Sequence, residues 1–441
     1  MFITNAPLAA TAKALRSGDL DLRDYINNLC DNIEARDPQI QAFTPEKNRR
    51  ERLLREADVL ISRYPEPSTR PPLYGIPVGV KDIFRVHGFL TRAGSALPPE
   101  LFEGKEAACV AALKKAGAVI AGKTVTTEFA YFEPGPTRNP HNLKHTPGGS
   151  SSGSAAGVAC GFFPLAFGTQ TIGSVVRPAA FCGIIGFKPS FNRIPTDGLI
   201  VFSKSADHVG IFTQDMDGIH LACSLLIDDW DSAYSQNMPV LGIPEGNYLA
   251  QAAKEGLLAF EKQVNTLENA GYTIQRISMF EHIDAINESH RLMTAAEAAQ
   301  EHAEWFAAYH DLYRPRTAEI ILKGRQVSLE DLDRAQRARR ELRKYIADRQ
   351  EPSGIDIWIS PAAAGEAPEG LQTTGDPMMN LPWTNAGLPA ITIPAGVSKN
   401  NLPLGLQCVA GFRQDERLVA WTKDIAEVFQ RHKKDLADLT K

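Results

Sequence analysis

From Pro7 to about Arg36, apolar residues recur at helical spacing: Leu8, Ala12 and Leu15, then Leu22, Tyr25, Ile26, Leu29 and Ile33, with Gly18 and Asp19 marking a break. A second amphipathic stretch covers Arg50 to Ser62, so helices precede the first strand signal. That signal is the apolar run Ile76 to Val80, followed by Lys81 and Asp82. A helical pattern over Ala107 to Lys115 leads into a second strand, Gly117 to Ala121. Further strand-like runs are Ile184 to Phe187, Val240 to Ile243, Ile355 to Ser360, Pro389 to Ala395 and Leu404 to Ala410. Between Gln251 and Arg349 the pattern is almost wholly helical and predicts a cap or flank. Strands alternating with helices predict a layered α/β fold with helices covering a sheet. No repeat, low-complexity tail or Pro/Ser linker divides the chain. The expectation is therefore one domain over 1–441: N-terminal helices (7–64), a core (73–215), a mainly helical flank (251–349), and C-terminal strands with a helix (355–432).

Composition narrows the function classes. Of 441 residues, 43% are hydrophobic and 22% charged, enough apolar surface for a large core, which excludes a disordered chain. The net charge of −5 offers phosphate no global attraction, so no nucleic-acid partner is expected. The one basic run, Arg334 to Arg349, has helical spacing and interspersed acids, and reads as a solvated helix face. Six scattered cysteines, without a C-x-x-C pair or zinc spacing, read as small core residues in a reducing compartment. There is no secretory leader pattern and no apolar run of membrane-spanning length, so the expectation is a cytoplasmic protein without membrane contact.

The densest anomaly is Thr146-Pro-Gly-Gly-Ser-Ser-Ser-Gly-Ser-Ala-Ala-Gly-Val-Ala159. A bare Gly/Ser stretch reads as a linker, but Ser154 to Ala159 are small residues suited to a helix packed very close to a neighbour. The apolar Cys160 to Phe167 then follows directly. A loop tied to a buried helix start puts N–H groups and hydroxyls in a dry site. A second cluster, Phe167 to Gly183, carries Ser174, and the successive N–H groups of Thr171, Ile172, Gly173 and Ser174 suit a nest for a developing oxyanion. Lys81, at the end of an apolar strand, is a lysine whose proton desolvation would loosen, making it a general base.

Together these pieces resemble the amidase signature family of amide hydrolases. The resemblance rests on Gly79-Val-Lys81-Asp82, Ala118 to Ala130, Gly148-Gly-Ser150-Ser151, Gly168-Thr-Gln-Thr-Ile-Gly-Ser174 and Ala180 to Gly183. It continues through Gly186-Phe-Lys-Pro-Ser190 and is echoed in Asn385 to Pro394 and Leu404 to Gln407. It implies the fold of that family, a large mixed β-sheet covered by helices on both faces. It also implies a Ser–cisSer–Lys triad: Ser174 as nucleophile, Ser150 as the middle serine behind a cis peptide bond, and Lys81 as base. The implied activity is hydrolysis of a small-molecule carboxamide through an acyl-enzyme, without metal or organic cofactor, in a chain compatible with a homodimer. Two positions depart from the common pattern: Ile172-Gly173 stands where many relatives have Gly-Gly, and the arginine falls at Arg177, one residue later than in the Ser-Ile-Arg version. For the substrate site, Gly149, Met379 and Trp383 are the candidates, with Met378 and Leu381 adding to an apolar acyl pocket.

Several rival readings compete. Gly117 to Thr124 matches the phosphate-loop pattern G-x-x-x-x-G-K-[ST], but its four x positions are themselves a strand, and the required loop and helix do not follow. Gly149 to Gly153 matches G-x-S-x-G with Ser151 central, which would suit a Ser/His/Asp esterase with a base such as His208; the segment before it is polar and broken by prolines rather than a strand. His141 and His145 lie four apart, in a segment too irregular for a two-ligand helix. A glutamine-hydrolysing amidotransferase A-type subunit feeding ammonia to a tRNA-bound partner is the other enzymatic alternative, weakened because no glutamine-recognition segment is found before the late Gly-Leu-Pro motif. A non-catalytic binding protein would be favoured only by a broken triad, and the triad is intact.

Overall fold

The structure, a computed structural model, describes residues 2–231 and 237–439. Its centre is one mixed sheet of ten strands: β1 (Pro77–Lys81), β2 (Val119–Thr124), β3 (Leu165–Gln170), β4 (Ile185–Lys188), β5 (His208–Thr213), β6 (Leu241–Glu245), β7 (Ile274–Ser278), β8 (Ile357–Pro361), β9 (Ala390–Val397) and β10 (Pro403–Val409). The spatial order is β2-β1-β3-β5-β4-β9-β10-β8-β6-β7. β1 runs parallel to both β2 and β3, and β8, β6 and β7 are mutually parallel; the strands between pair antiparallel. The α/β expectation holds, and the predicted helices appear at Leu8–Ser17, Leu22–Ile40, Arg49–Arg63 and Ala108–Lys115.

Three strands carry weak sequence signals. β3 and β5 are fully buried central strands interrupted by polar or glycine positions, Leu-Ala-Phe-Gly-Thr-Gln and His-Val-Gly-Ile-Phe-Thr. β7 interrupts the otherwise helical stretch 251–349. It is an edge strand paired only with β6, so its residues stay half-exposed and polar ones interrupt the apolar pattern.

The helix Ser152–Ala159 shows why this segment is built from small residues. All eight are buried. A Cβ on Gly153 would come within 2.1 Å of the Ala42 carbonyl oxygen, and one on Gly157 within 2.2 Å of the Phe163 ring. Any larger side chain would push this helix off the sheet.

The basic run lies in the helix Leu329–Ser353, and its reading as a solvated face needs correction. Arg337 pairs with Asp333 and Lys344 with Asp348 in solvent. Arg339 and Arg343 instead turn inward, donating to the carbonyls of Asn385 and Ala386 and covering the rings of Phe191 and Phe412. All six cysteines are buried and unbridged. No described helix is long and apolar enough to cross a membrane.

Candidate active site

Because β1 and β3 are parallel neighbours, with Val80 opposite Phe167, their C-terminal ends open on the same edge of the sheet. That is where open α/β sheets hold ligands. Lys81 ends β1 and is 0% exposed. Its Nζ lies 2.7 Å from Ser150 Oγ and 2.7 Å from Thr169 Oγ1 on β3. Burial drives its pKa well below the ordinary lysine value, against a smaller upward pull from the Asp207 carboxylate. Desolvation therefore favours the neutral amine over the ammonium at this position.

Asp82 takes no part in this contact. It turns to the other side of β1 and pairs with Lys123 at 2.6 Å, both buried. Desolvation raises the Asp82 pKa and lowers that of Lys123, the mutual attraction opposing both shifts. The lysine of the phosphate-loop look-alike is thus a core ion pair. No α-helix starts directly after β2, which rejects nucleotide binding there on geometry as well as on pattern.

Ser150 follows a cis peptide bond from Gly149 and precedes the small-residue helix. Ser174 follows β3 by four positions and is 8% exposed. Both serines line one cleft with Thr171, Ile172, Gly173, Arg177, Thr374, Pro377 and the aromatic residues Tyr131, Phe132 and Phe202. Between these residues the cleft leaves about 20 Å³ of free space, room for about one water molecule.

The turn from Thr171 to Ser174 is held on several sides. Gln170 Oε1 accepts from the N–H groups of Val175 (2.7 Å) and Val176 (3.0 Å), while its Nε2 donates to Thr384. The Thr384 hydroxyl donates to the Ile172 carbonyl at 2.6 Å. His290 Nε2 lies 3.0 Å from the Thr171 carbonyl oxygen, and the Thr171 hydroxyl donates to Asp207 at 2.6 Å. With its carbonyls gathered outward, the turn keeps the N–H groups of Ile172, Gly173 and Ser174 without acceptors among the described residues. Gly173 is required by close approach, since a Cβ there would sit 2.3 Å from Asn380 Oδ1. Burial pushes the Asp207 carboxyl up to about 6.

The remaining candidates fall elsewhere. Met379 and Trp383 are 0% and 1% exposed and do not line the cleft. Trp383 donates to Tyr248 at 2.8 Å and packs on Trp358, and the Met379 carbonyl accepts from Tyr248. Both lie in the core behind the turn, and Leu381 is fully buried as well. Gly149 contributes its carbonyl, which accepts from Arg177 at 2.7 Å. Ser151, the central serine of the elbow pattern, is 0% exposed with its hydroxyl 3.3 Å from the backbone of Thr169. His208 Nδ1 lies 2.6 Å from the Ala206 carbonyl oxygen, and no hydrogen bond joins His208 to Ser151 among the described residues. His141 and His145 each hold a backbone carbonyl, and no metal-binding cluster of His, Cys, Asp or Glu occurs among the described residues.

Thr169, Gln170, Asp207, His290 and Thr384 were not singled out by pattern, whereas Thr374 opens the segment Thr374 to Trp383 that the sequence offers as a pocket candidate. Thr169 and Gln170 lie inside the Ser174 motif and could have been found there. His290 and Thr384 lie 119 and 212 residues from the carbonyls they hold, and no local signal marks them.

The family model for Amidase matches residues 24–419, and the chain belongs to that family. It is similar to the A-type subunit of glutamyl-tRNA(Gln) amidotransferase from Geobacter metallireducens, 31% identical with 86% of this chain and 87% of the relative covered. The protein of the same name from Lysinibacillus sphaericus is 27% identical, with 95% of each chain covered. Among solved structures, an amidase crystal structure superposes with a TM-score of 0.87 at 27% identity over 95% of this chain and 99% of the other. A structure described as a vestigial protein complex bearing on the origins of an s-triazine catabolic enzyme superposes with 0.84 at 27% identity over 97% and 98%. The mixed sheet with helices on both faces is therefore the fold of the amidase signature enzymes.

Proposed function

We propose that this member of the amidase family hydrolyses a small carboxamide to a carboxylate and ammonia or an amine, with Ser174 as nucleophile. Ser174 Oγ attacks the carbonyl carbon while its proton passes to Ser150 Oγ and the Ser150 proton passes to neutral Lys81 Nζ. The oxygen that gains the negative charge accepts from the N–H groups of the Thr171–Ser174 turn. The relay reverses to protonate the leaving nitrogen as the C–N bond breaks, and water then releases the acyl group from Ser174. The buried Lys81–Ser150 contact, beneath a cleft that also holds Ser174, is the observation that carries this reading. Aryl, aliphatic and urea-type amides, with glutamine included, are the assay panel. At least one should turn over in the wild type and none in Ser174→Ala; activity surviving in that variant overturns the assignment.

A second reading takes its support from the relatives that are A-type subunits of glutamyl-tRNA(Gln) amidotransferase, which match almost end to end. In that case glutamine is the substrate and the ammonia goes to a partner subunit. Turnover of glutamine above every other amide in the panel, raised by a partner, would favour it; indifference to glutamine would exclude it.

A further inference from the structure

The short strap from Phe202 to Asp207, just ahead of β5, touches both the nucleophile turn and the cleft wall. Asp207 is buried, and its Oδ1 accepts from the Thr171 hydroxyl at 2.6 Å. Oδ2 accepts from the N–H groups of Phe202 at 2.8 Å and Ser203 at 3.1 Å. Thr171 opens the turn that carries Ser174, while Phe202 lines the same cleft with its ring stacked on Tyr131. A second buried carboxylate closes the strap from behind: Glu297, on the helix Ile283–Glu301, accepts from the Ser203 hydroxyl at 2.6 Å and from the N–H of Ser205 at 2.9 Å. The hydrogen-bond partners of Asp207 are all neutral, and Lys81 reaches it through its charge without contact. The other ionisable groups around the strap are His208 on β5, His290 and Glu297 on the helix Ile283–Glu301, and Arg339, which acts on both histidines. Lys204, on the strap itself, pairs with Glu301 in solvent. Burial holds both histidines below their ordinary value, so they are neutral at pH 7.

We propose that Asp207 is a positioning residue for the reaction: through Thr171 it fixes the turn that carries Ser174, through Phe202 it fixes the aromatic wall of the same cleft, and its negative charge supports the proton that Lys81 receives. This assignment rests on Ser174 as nucleophile and Lys81 as base. Two substitutions separate its parts. Asp207→Asn keeps the shape, since Oδ1 can still accept the two N–H groups while Nδ2 donates to the Thr171 oxygen, and it removes the charge. Asp207→Ala removes both.

The test reads the rate at which a fluorophosphonate probe labels Ser174 as pH is varied, because the phosphonyl oxygen sits where the oxyanion would and reports on the turn. Asp207→Ala and Thr171→Val should each slow labelling by roughly ten- to a hundredfold. The double variant should be no slower than the slower single one, as expected for two residues acting through one contact. Asp207→Asn should keep a plateau rate within about threefold of the wild type. The rising limb of its pH–rate profile should move to lower pH by about half a unit or more, because Lys81 loses the carboxylate that favours its charged form. Single variants that label as fast as the wild type, or slowing factors that multiply in the double variant, overturn the link through Thr171. A limb that stays in place in Asp207→Asn overturns the electrostatic part. Slow labelling at every pH together with a lowered melting temperature in both Asp207 variants marks the residue as structural and overturns the proposal. A wild type that the probe does not label at Ser174 overturns the nucleophile assignment instead, and this one with it.

Discussion

Lys81 Nζ sits 2.7 Å from Ser150 Oγ at the end of a buried strand, with Thr169 Oγ1 at the same distance and no carboxylate in contact among the described residues. In the proposed mechanism Lys81 is a base by desolvation, because burial lowers its pKa well below 10.5. Activity should rise with pH through a midpoint well under the ordinary lysine value and stay high above it. A kcat/KM profile whose rising limb lies near 10.5 contradicts the role.

The same burial carries a stability cost. Between the depressed native pKa and the unfolded one, the unfolded chain binds more protons, so stability attributable to Lys81 rises with pH across that window and is lowest below it. Lys81→Met removes this cost. It should lower turnover by roughly 10²–10⁴-fold while leaving the melting temperature unchanged or higher at pH 7. A variant that loses activity together with its fold would show Lys81 to be structural.

Ser174 and Ser151 make opposite predictions. Ser174 opens on the cleft, whereas the Ser151 hydroxyl is buried against Thr169. Covalent labelling by a serine-reactive phosphonate, read by mass spectrometry, should vanish in Ser174→Ala and persist in Ser151→Ala. The reverse result restores the elbow reading.

Thr384 and His290 hold the carbonyls of Ile172 and Thr171. Thr384→Val keeps the volume and loses the hydrogen bond, so the turn's N–H groups should lose their alignment. Steady-state kinetics should show kcat reduced by roughly ten- to a hundredfold with KM nearly unchanged. An effect on KM alone would place Thr384 in substrate binding.

The Asp82–Lys123 pair lies on the far side of the same strand. Lys123→Met leaves a buried unpaired carboxylate and should cost about 3–5 kcal/mol in denaturant unfolding. The double variant Lys123→Met with Asp82→Leu should recover much of that loss, since an apolar pair of similar volume avoids both desolvation costs. If the double variant is no more stable than the single one, the pair matters for more than its charge balance.

Local pattern determined much of this protein. Helical spacing from Leu8 to Ile33, the apolar runs at Ile76 and Gly117, and the small residues of Ser154 to Ala159 each report a periodicity or a steric demand that neighbouring residues express by themselves. The motifs around Lys81, Ser150 and Ser174 are legible through the resemblance to the amidase signature family, not through spacing alone. The tertiary structure decided what those residues face. It assigned Asp82 to Lys123, sank Ser151, Met379 and Trp383 into the core, and brought His290 and Thr384 to carbonyls more than a hundred residues away in the chain. It also left two nitrogens of Arg177 without partners among the described residues, in the cleft that holds Ser174. Burial, partner and charge state depend on the path of the whole chain and on strand register, and no window of sequence contains either.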